Sequence, residues 1–107
     1  YIHVNDLCLA HSNALHYLAE GGESHAFNLG NGKGFSVLEI IQAARTVTAK
    51  PIKMIEESRR AGDPAILIAD ASLAKEVLSW QPERAALEDI IADAWLWEQK
   101  LYTDLVG

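Results

Sequence analysis

The sequence is poor in cysteine and proline and has no long apolar run. A single cysteine among 107 residues excludes an internal disulfide and a zinc site built from cysteines, and it favours a cytoplasmic setting. No apolar stretch is long enough to cross a bilayer, and no signal peptide is visible. Basic residues are also scarce, with nine Lys and Arg against fifteen Asp and Glu. The resulting net charge of −6 argues against wholesale binding to nucleic acid or anionic membranes.

The remaining composition is that of a globular chain. Half of the residues are hydrophobic and 22% are charged, which is ordinary for one domain or for a piece of a larger one. The sequence opens with Tyr1 and has no initiator methionine. We therefore expect a fragment or an excised domain.

Apolar spacing and capping residues predict four helices. Asn5 or Asp6 is expected to cap a first helix that covers about 7–19 and ends at Gly21 and Gly22. Ser36 is expected to cap the second helix, and Glu39, three residues later, completes a capping box. A short helix capped by Ser72 and a last helix over about 85–101 complete the set.

Four stretches rich in strand-forming residues lie between or before these helices. They are Tyr1–Val4, His25–Gly30, Ile52–Glu56 and Ile66–Ala69, and the last of them is expected to be extended and well covered. The sequence thus predicts an α/β chain of mixed helices and short strands.

The segment Ser58–Pro64 is the strongest candidate for a binding site. Two adjacent guanidinium groups suit an anion, because the planar fork of arginine matches phosphate oxygens. Gly62 lets the backbone turn, so Arg60 and Asp63 are expected to point into one loop cavity, one as donor and one as acceptor. That pairing suits a nucleotide diphosphate. An exposed turn with a surface salt bridge explains the same residues, and the spacing alone favours it.

Other candidate motifs favour structural roles. The glycines of Gly30–Gly34 match neither the dinucleotide fingerprint nor the P-loop, and they suit a tight turn or a close backbone approach. Cys8 and His11 share a helix face, but no third metal ligand accompanies them, so Cys8 is expected in the core. Asp89 and Asp93 are expected on a solvated face. The residues by themselves show no self-sufficient catalytic set.

Several stretches together resemble one family, the UDP-glucose 4-epimerases of the extended short-chain dehydrogenase/reductase superfamily. The resemblance covers nearly all of the chain and corresponds to the C-terminal third of those enzymes. It rests on four stretches in the family's order and spacing, namely Tyr1–Leu7, Phe27–Ile40, Arg59–Ala65 and Ala69–Trp80.

The resemblance implies a fold and a chemistry. Residues of about 1–30 would belong to a Rossmann-like cofactor lobe and those of about 31–107 to the substrate lobe. The full enzyme would interconvert UDP-glucose and UDP-galactose with bound NAD, by oxidation and re-reduction at C4 of the sugar. Arg60 would contact the UDP pyrophosphate and Asp63 the ribose hydroxyls. The family's glycine-rich NAD loop and its Tyr-x-x-x-Lys pair are not in these 107 residues, so we expect this chain alone to bind no NAD and to lack activity.

Two other hypotheses stay open from the sequence. The chain could be part of another nucleotide-sugar epimerase or dehydratase of the same superfamily, particularly since Leu67 occupies a place where some relatives carry an aromatic residue, with a one-residue shift. It could also be a detached, non-enzymatic module. If the chain is a fragment, we expect apolar faces left uncovered on helix 7–19 and near Phe27 to drive homo-oligomer formation.

Overall fold

The structure, a computed structural model, describes residues 1–107 and contains four helices and no β-strand. Helix α1 spans Val4–Ala19, α2 spans Val37–Thr48, α3 spans Ser72–Leu78 and α4 spans Leu87–Val106. None of the four is both long enough and apolar enough to span a membrane.

The chain divides into two compact units, each built from two separated stretches. Unit 1 comprises Tyr1–Gly34 and Ile68–Ala85, and within it α1 packs against α3. Unit 2 comprises Phe35–Leu67 and Ala86–Gly107, and within it α2 packs against α4. The assignment of about 1–30 to a cofactor lobe and of about 31–107 to a substrate lobe stays a prediction.

The core of unit 1 is built around Trp80, whose side chain is fully buried. Three of the four other buried residues of its cluster are alanines, which leave room for the large indole between α1 and α3. The buried members of this cluster are Ala10, Ala71, Ala74, Leu78 and Trp80. The residue that follows α3 and Ser79 therefore supplies the centre of this core.

A buried carboxylate ties the first helix to the segment that follows Trp80. Asp6 is only 2% exposed, and its two carboxylate oxygens accept the backbone N–H groups of Glu83 at 2.8 Å and Arg84 at 3.0 Å. The carbonyl oxygen of Asp6 accepts the indole N–H of Trp80 at 2.8 Å. One residue of α1 therefore satisfies three donors from a segment more than seventy positions later in the sequence.

The start of α1 differs from the prediction. The N-cap is the buried His3, whose Nδ1 accepts the N–H of Asn5 at 3.0 Å. Asp6 cannot cap the helix, since its carboxylate is bound to Glu83 and Arg84, so the expectation of a cap at Asn5 or Asp6 is wrong. The predicted end is confirmed, because Gly21 has a φ of +89° directly after the C-cap Glu20.

The capping box of α2 is confirmed. The Ser36 hydroxyl accepts the N–H of Glu39 at 3.1 Å, and the Glu39 carboxylate accepts the N–H of Ser36 at 2.6 Å. The hydrogen bond from the Ser36 N–H to the carboxylate, with a smaller contribution from the Ser36 side chain, lowers the pKa of Glu39 below its usual value. After α2, the Arg45 guanidinium donates through Nε to the Ile52 carbonyl at 3.0 Å and holds the returning chain.

The two later helices begin slightly apart from their predicted positions. Ser72 is the first residue of α3 and not its cap, which is Ala71. The Asp70 carboxylate accepts the N–H and the hydroxyl of Ser72, and these hydrogen bonds lower the pKa of Asp70. Helix α4 begins two residues later and ends five residues later than the predicted range of about 85–101.

The predicted strands are absent. Val4 belongs to α1, and the stretches 25–30, 52–56 and 66–69 have no regular secondary structure. A strand exists only when its backbone groups pair with a neighbouring strand, and none of these segments finds such a partner within the chain. The expectation that 66–69 is well covered is also wrong, since Ile66 and Leu67 are 78% and 86% exposed.

Part of the apolar surface of α1 is exposed, as the sequence predicted. Leu15 and Leu18 on this helix are both more than half exposed, whereas Phe27 packs partly against the core of unit 1. Cys8 is also exposed, so its predicted place in the core is wrong. It lies two positions from the buried Ala10, which places the two side chains on nearly opposite sides of the helix.

Candidate functional site

The arginine loop of unit 2 forms a tight turn. The N–H of Asp63 donates to the carbonyl of Arg60 at 3.4 Å, and Gly62 between them has a φ of +84°. A φ of this sign strongly favours glycine, so Gly62 allows the chain to close the turn between the two predicted site residues. Pro64 follows and disfavours a helical conformation at Asp63.

The turn brings the side chains of Arg60 and Asp63 together. Nε of Arg60 lies 2.9 Å from Oδ2 of Asp63, and the two side chains are 86% and 45% exposed. Both lie at the surface of unit 2, so the structure shows the exposed turn with a surface salt bridge that the spacing alone favours. The predicted enclosure in a loop cavity is not found. An ion pair this exposed contributes little to stability.

The ion pair uses a small part of the hydrogen-bonding capacity of the two groups. Guanidinium carries five N–H donors, and Nε supplies one of them. The four N–H groups on the terminal nitrogens of Arg60 are not used by Asp63, and Oδ1 of Asp63 is not used by Arg60. The turn therefore presents donors and an acceptor side by side, with the orientation of the guanidinium set by its contact with Asp63.

The glycine-rich segment Gly30–Gly34 serves packing within unit 1. A Cβ on Gly34 would lie 2.5 Å from Cδ1 of Ile68, and one on Gly30 would lie 3.0 Å from Cβ of Ala69. The close approach allowed by these glycines is therefore to side chains of the same chain. At the start of α2, the N–H groups of Ser36 and Glu39 are occupied by the capping box, which leaves them no bond for a phosphate.

Sequence reasoning missed the role of Asp6. The sequence around Asp6 shows only a carboxylate in the first helical turn followed by apolar residues. An ordinary helix cap has the same pattern, so the pattern does not reveal a tertiary contact. Nothing in the local sequence shows that this carboxylate accepts hydrogen bonds from residues 83 and 84. No group of three or more His, Cys, Asp or Glu side chains in residues 1–107 is placed to hold a metal ion.

No protein-family model matches the chain. Individual relatives match it closely. The chain is 48% identical over 100 residues to a UDP-glucose 4-epimerase of Halalkalibacterium halodurans, covering 94% of this chain and 30% of that protein. It is 50% identical over 97 residues to a UDP-glucose 4-epimerase of Streptococcus mutans, covering 91% of this chain and 29% of that protein.

Solved structures give the same result. A crystal structure of a UDP-glucose 4-epimerase superposes with a TM-score of 0.88 at 52% identity, over 94% of this chain and 30% of that one. A second structure is that of a UDP-glucose 4-epimerase of Stenotrophomonas maltophila with bound NAD and formylated UDP-arabinopyranose. It superposes with a TM-score of 0.86 at 41% identity, over 97% of this chain and 31% of that one. The chain spans about 30% of the length of these relatives. It is therefore homologous to the C-terminal portion of UDP-glucose 4-epimerases.

Proposed function

We propose that this chain is the nucleotide-sugar-binding portion of a UDP-glucose 4-epimerase and that Arg60 and Asp63 hold the UDP group. The observation that supports this most directly is the 2.9 Å contact between the two side chains, which places an anion donor beside a hydroxyl acceptor. The relative from Stenotrophomonas maltophila, 41% identical, has a UDP-sugar bound.

In this proposal Arg60 receives the pyrophosphate. The terminal nitrogens of its guanidinium present two parallel N–H groups, the geometry that matches two phosphate oxygens. Asp63 fixes the plane of the guanidinium through Nε, so that less side-chain freedom is lost when the ligand binds. The ammonium of a lysine would keep the charge but not this fork.

Asp63 has a second role in the proposal. Its Oδ1 accepts hydrogen bonds from the ribose hydroxyls while Oδ2 stays on Arg60. Since its negative charge partly offsets that of Arg60, the pair favours a ligand that carries both phosphate and hydroxyl groups over inorganic phosphate.

The chemistry at C4 of the sugar belongs to the whole enzyme. Bound NAD supplies the oxidation and re-reduction, and two structural relatives carry NAD. The residues of this chain are proposed to bind and orient the UDP group. Purified as these 107 residues, the chain is expected to give no conversion of UDP-galactose to UDP-glucose with added NAD. Turnover by this chain alone would contradict that expectation.

The binding role is tested by titrating the 107-residue chain with UDP while its amide signals are followed by NMR. Arg60→Ala is expected to weaken UDP binding by roughly 10- to 100-fold, because hydrogen bonds from a charged donor are lost. Arg60→Lys is expected to recover part of the loss. Arg59→Ala is the matched control, because it removes the same charge from the neighbouring position.

Two outcomes would refute the assignment. One is UDP binding that Arg60→Ala leaves unchanged. The other is an equal loss in Arg59→Ala and Arg60→Ala, which would show that net charge near the loop and not the geometry of Arg60 decides the affinity. Inorganic phosphate in place of UDP is expected to bind more weakly, since it lacks the ribose hydroxyls for Asp63.

We also propose that the enzyme is cytoplasmic and assembles as a homo-oligomer. The exposed apolar side chains of α1, including Val4, Leu15 and Leu18, support association, and the single exposed cysteine is compatible with a reducing compartment. Sedimentation of the purified chain tests the assembly, and a monomer throughout a concentration series would exclude it.

A further inference from the structure

A concave surface lies on unit 2, formed by one flank of α4 and the segment after α2. It is a groove of about 440 Å³, within the range of small-molecule sites in proteins. The residues that line it are Lys50, Trp95, Glu98, Gln99, Tyr102 and Thr103. Neither Arg60 nor Asp63 belongs to it, and the function proposed above does not use it.

The groove follows from the spacing of residues on α4. Its five helical residues stand at positions i, i+3, i+4, i+7 and i+8, which share one side of a helix. Trp95 and Tyr102 are two turns apart, so their Cα atoms are separated by about 10 Å along the axis at 1.5 Å per residue. Lys50 closes the other side, where Ala49 turns the chain with a φ of +53° after α2.

The chemistry of the groove suits a neutral ligand with many hydroxyl groups. Two aromatic faces offer stacking surfaces, and between them Glu98 offers an acceptor while Gln99 offers both a donor and an acceptor. Lys50, Glu98 and Gln99 are exposed. The positive charge of Lys50 and the negative charge of Glu98 cancel, so the lining has no net charge. This disfavours binding of a phosphate or a fatty acid.

We propose that this groove binds a neutral oligosaccharide. One sugar ring stacks on Trp95 and a later ring stacks on Tyr102, because a single ring is too short to reach both side chains. Hydroxyl groups between the two rings exchange hydrogen bonds with Glu98 and Gln99. The hydroxyl of Thr103 donates to the carbonyl of Gln99 at 2.9 Å, so it faces the ligand as an acceptor.

The three tryptophans of the chain make the proposal easy to test. Trp95 lines the groove, Trp97 is 56% exposed outside it, and Trp80 is fully buried in unit 1. The 107-residue chain, labelled with ¹⁵N, is titrated separately with maltotriose and with cellotriose. We expect a saturable shift of the Trp95 indole N–H signal with at least one trisaccharide, and no saturable shift of the other two indole signals.

Substitutions then separate the groove from general surface binding. Trp95→Ala and Tyr102→Ala are each expected to weaken trisaccharide binding about tenfold, since each removes one stacking surface. Trp97→Ala is the matched control and is expected to change the affinity less than twofold. Gln99→Ala removes an exposed polar group and is expected to weaken binding without loss of folding, which keeps the test decisive if Trp95→Ala unfolds.

Three results would overturn the proposal. They are the absence of a saturable Trp95 shift with both trisaccharides, an equal loss of affinity in Trp97→Ala, and full affinity in both Tyr102→Ala and Gln99→Ala. The Arg60→Ala variant separates this proposal from the UDP proposal, because a parallel titration of it with UDP is expected to show weakened binding. The trisaccharide affinity of that variant is expected to be unchanged.

Discussion

Replacing Asp6 by asparagine tests the central tertiary contact of unit 1 with almost no change of shape. In the structure both carboxylate oxygens are used, one by the N–H of Glu83 and the other by the N–H of Arg84. Asparagine keeps one oxygen and replaces the other with an NH₂ group. The N–H of Glu83 or that of Arg84 then faces the NH₂ group of the asparagine, which is also a donor. Water cannot easily compensate, because the Asp6 side chain is only 2% exposed.

The expected cost follows from these contacts. A hydrogen bond to a charged group contributes about 1.5–3 kcal/mol, and a buried donor without an acceptor costs about 1–3 kcal/mol. The bond that remains also weakens, because its acceptor is neutral. We expect Asp6→Asn to lower the free energy of unfolding by about 3 kcal/mol, a large part of the stability of a small domain.

Urea unfolding followed by circular dichroism measures the loss, and hydrogen exchange locates it. Amide exchange at residues 83 and 84 is expected to accelerate on the order of 100-fold, the factor that corresponds to the lost free energy. Asp104→Asn, an exposed change of the same chemistry on α4, is the control and is expected to stay within about 0.5 kcal/mol. A loss below about 1 kcal/mol, or unchanged exchange at both amides, would refute the reasoning.

Two further stability predictions rest on single side chains. Trp80→Ala is expected to cost about 3–5 kcal/mol because the fully buried indole leaves a cavity, whereas Trp97→Ala, at a side chain 56% exposed, is expected to cost far less in the same thermal unfolding assay. Ser36→Ala is expected to cost about 1 kcal/mol through loss of the N-cap. The lowered pKa of Glu39 means that the contribution of its carboxylate is present above its ordinary pKa of 4.5 and is lost as the pH falls through the folded-state value, so the unfolding temperatures of the parent and of Glu39→Gln are expected to converge in acid. Persistence of the full difference at low pH would contradict this linkage.

Helix positions were largely predictable because their signals are local. The capping box of Ser36 and Glu39 lies within four residues, and the stop at Gly21 needs only a left-handed backbone conformation. The turn that joins Arg60 to Asp63 is equally local, since a glycine and a proline within five residues set its path. The contact between the two site residues and its exposure as a surface salt bridge were therefore both accessible from the sequence.

Strand predictions failed for the opposite reason. The residues of 52–56 and 66–69 favour extended conformations, but strand formation depends on a partner whose position no local pattern specifies. The failed core assignment of Cys8 has a similar origin. Several apolar residues surround it on the helix, and only the packing of Ala10 against the α3 region fixed which side of α1 is buried.

The sequence by itself determined the helices, the turn at Arg60 and Asp63, and the kinship with the 4-epimerases, because each depends on residues close together or on motifs in a fixed order. Tertiary structure alone decided that Asp6 accepts hydrogen bonds from residues 83 and 84. It also decided that Trp80 fills the core and that Trp95 and Tyr102 share a groove with Lys50. These features join segments far apart in the chain, and their formation depends on how the helices pack.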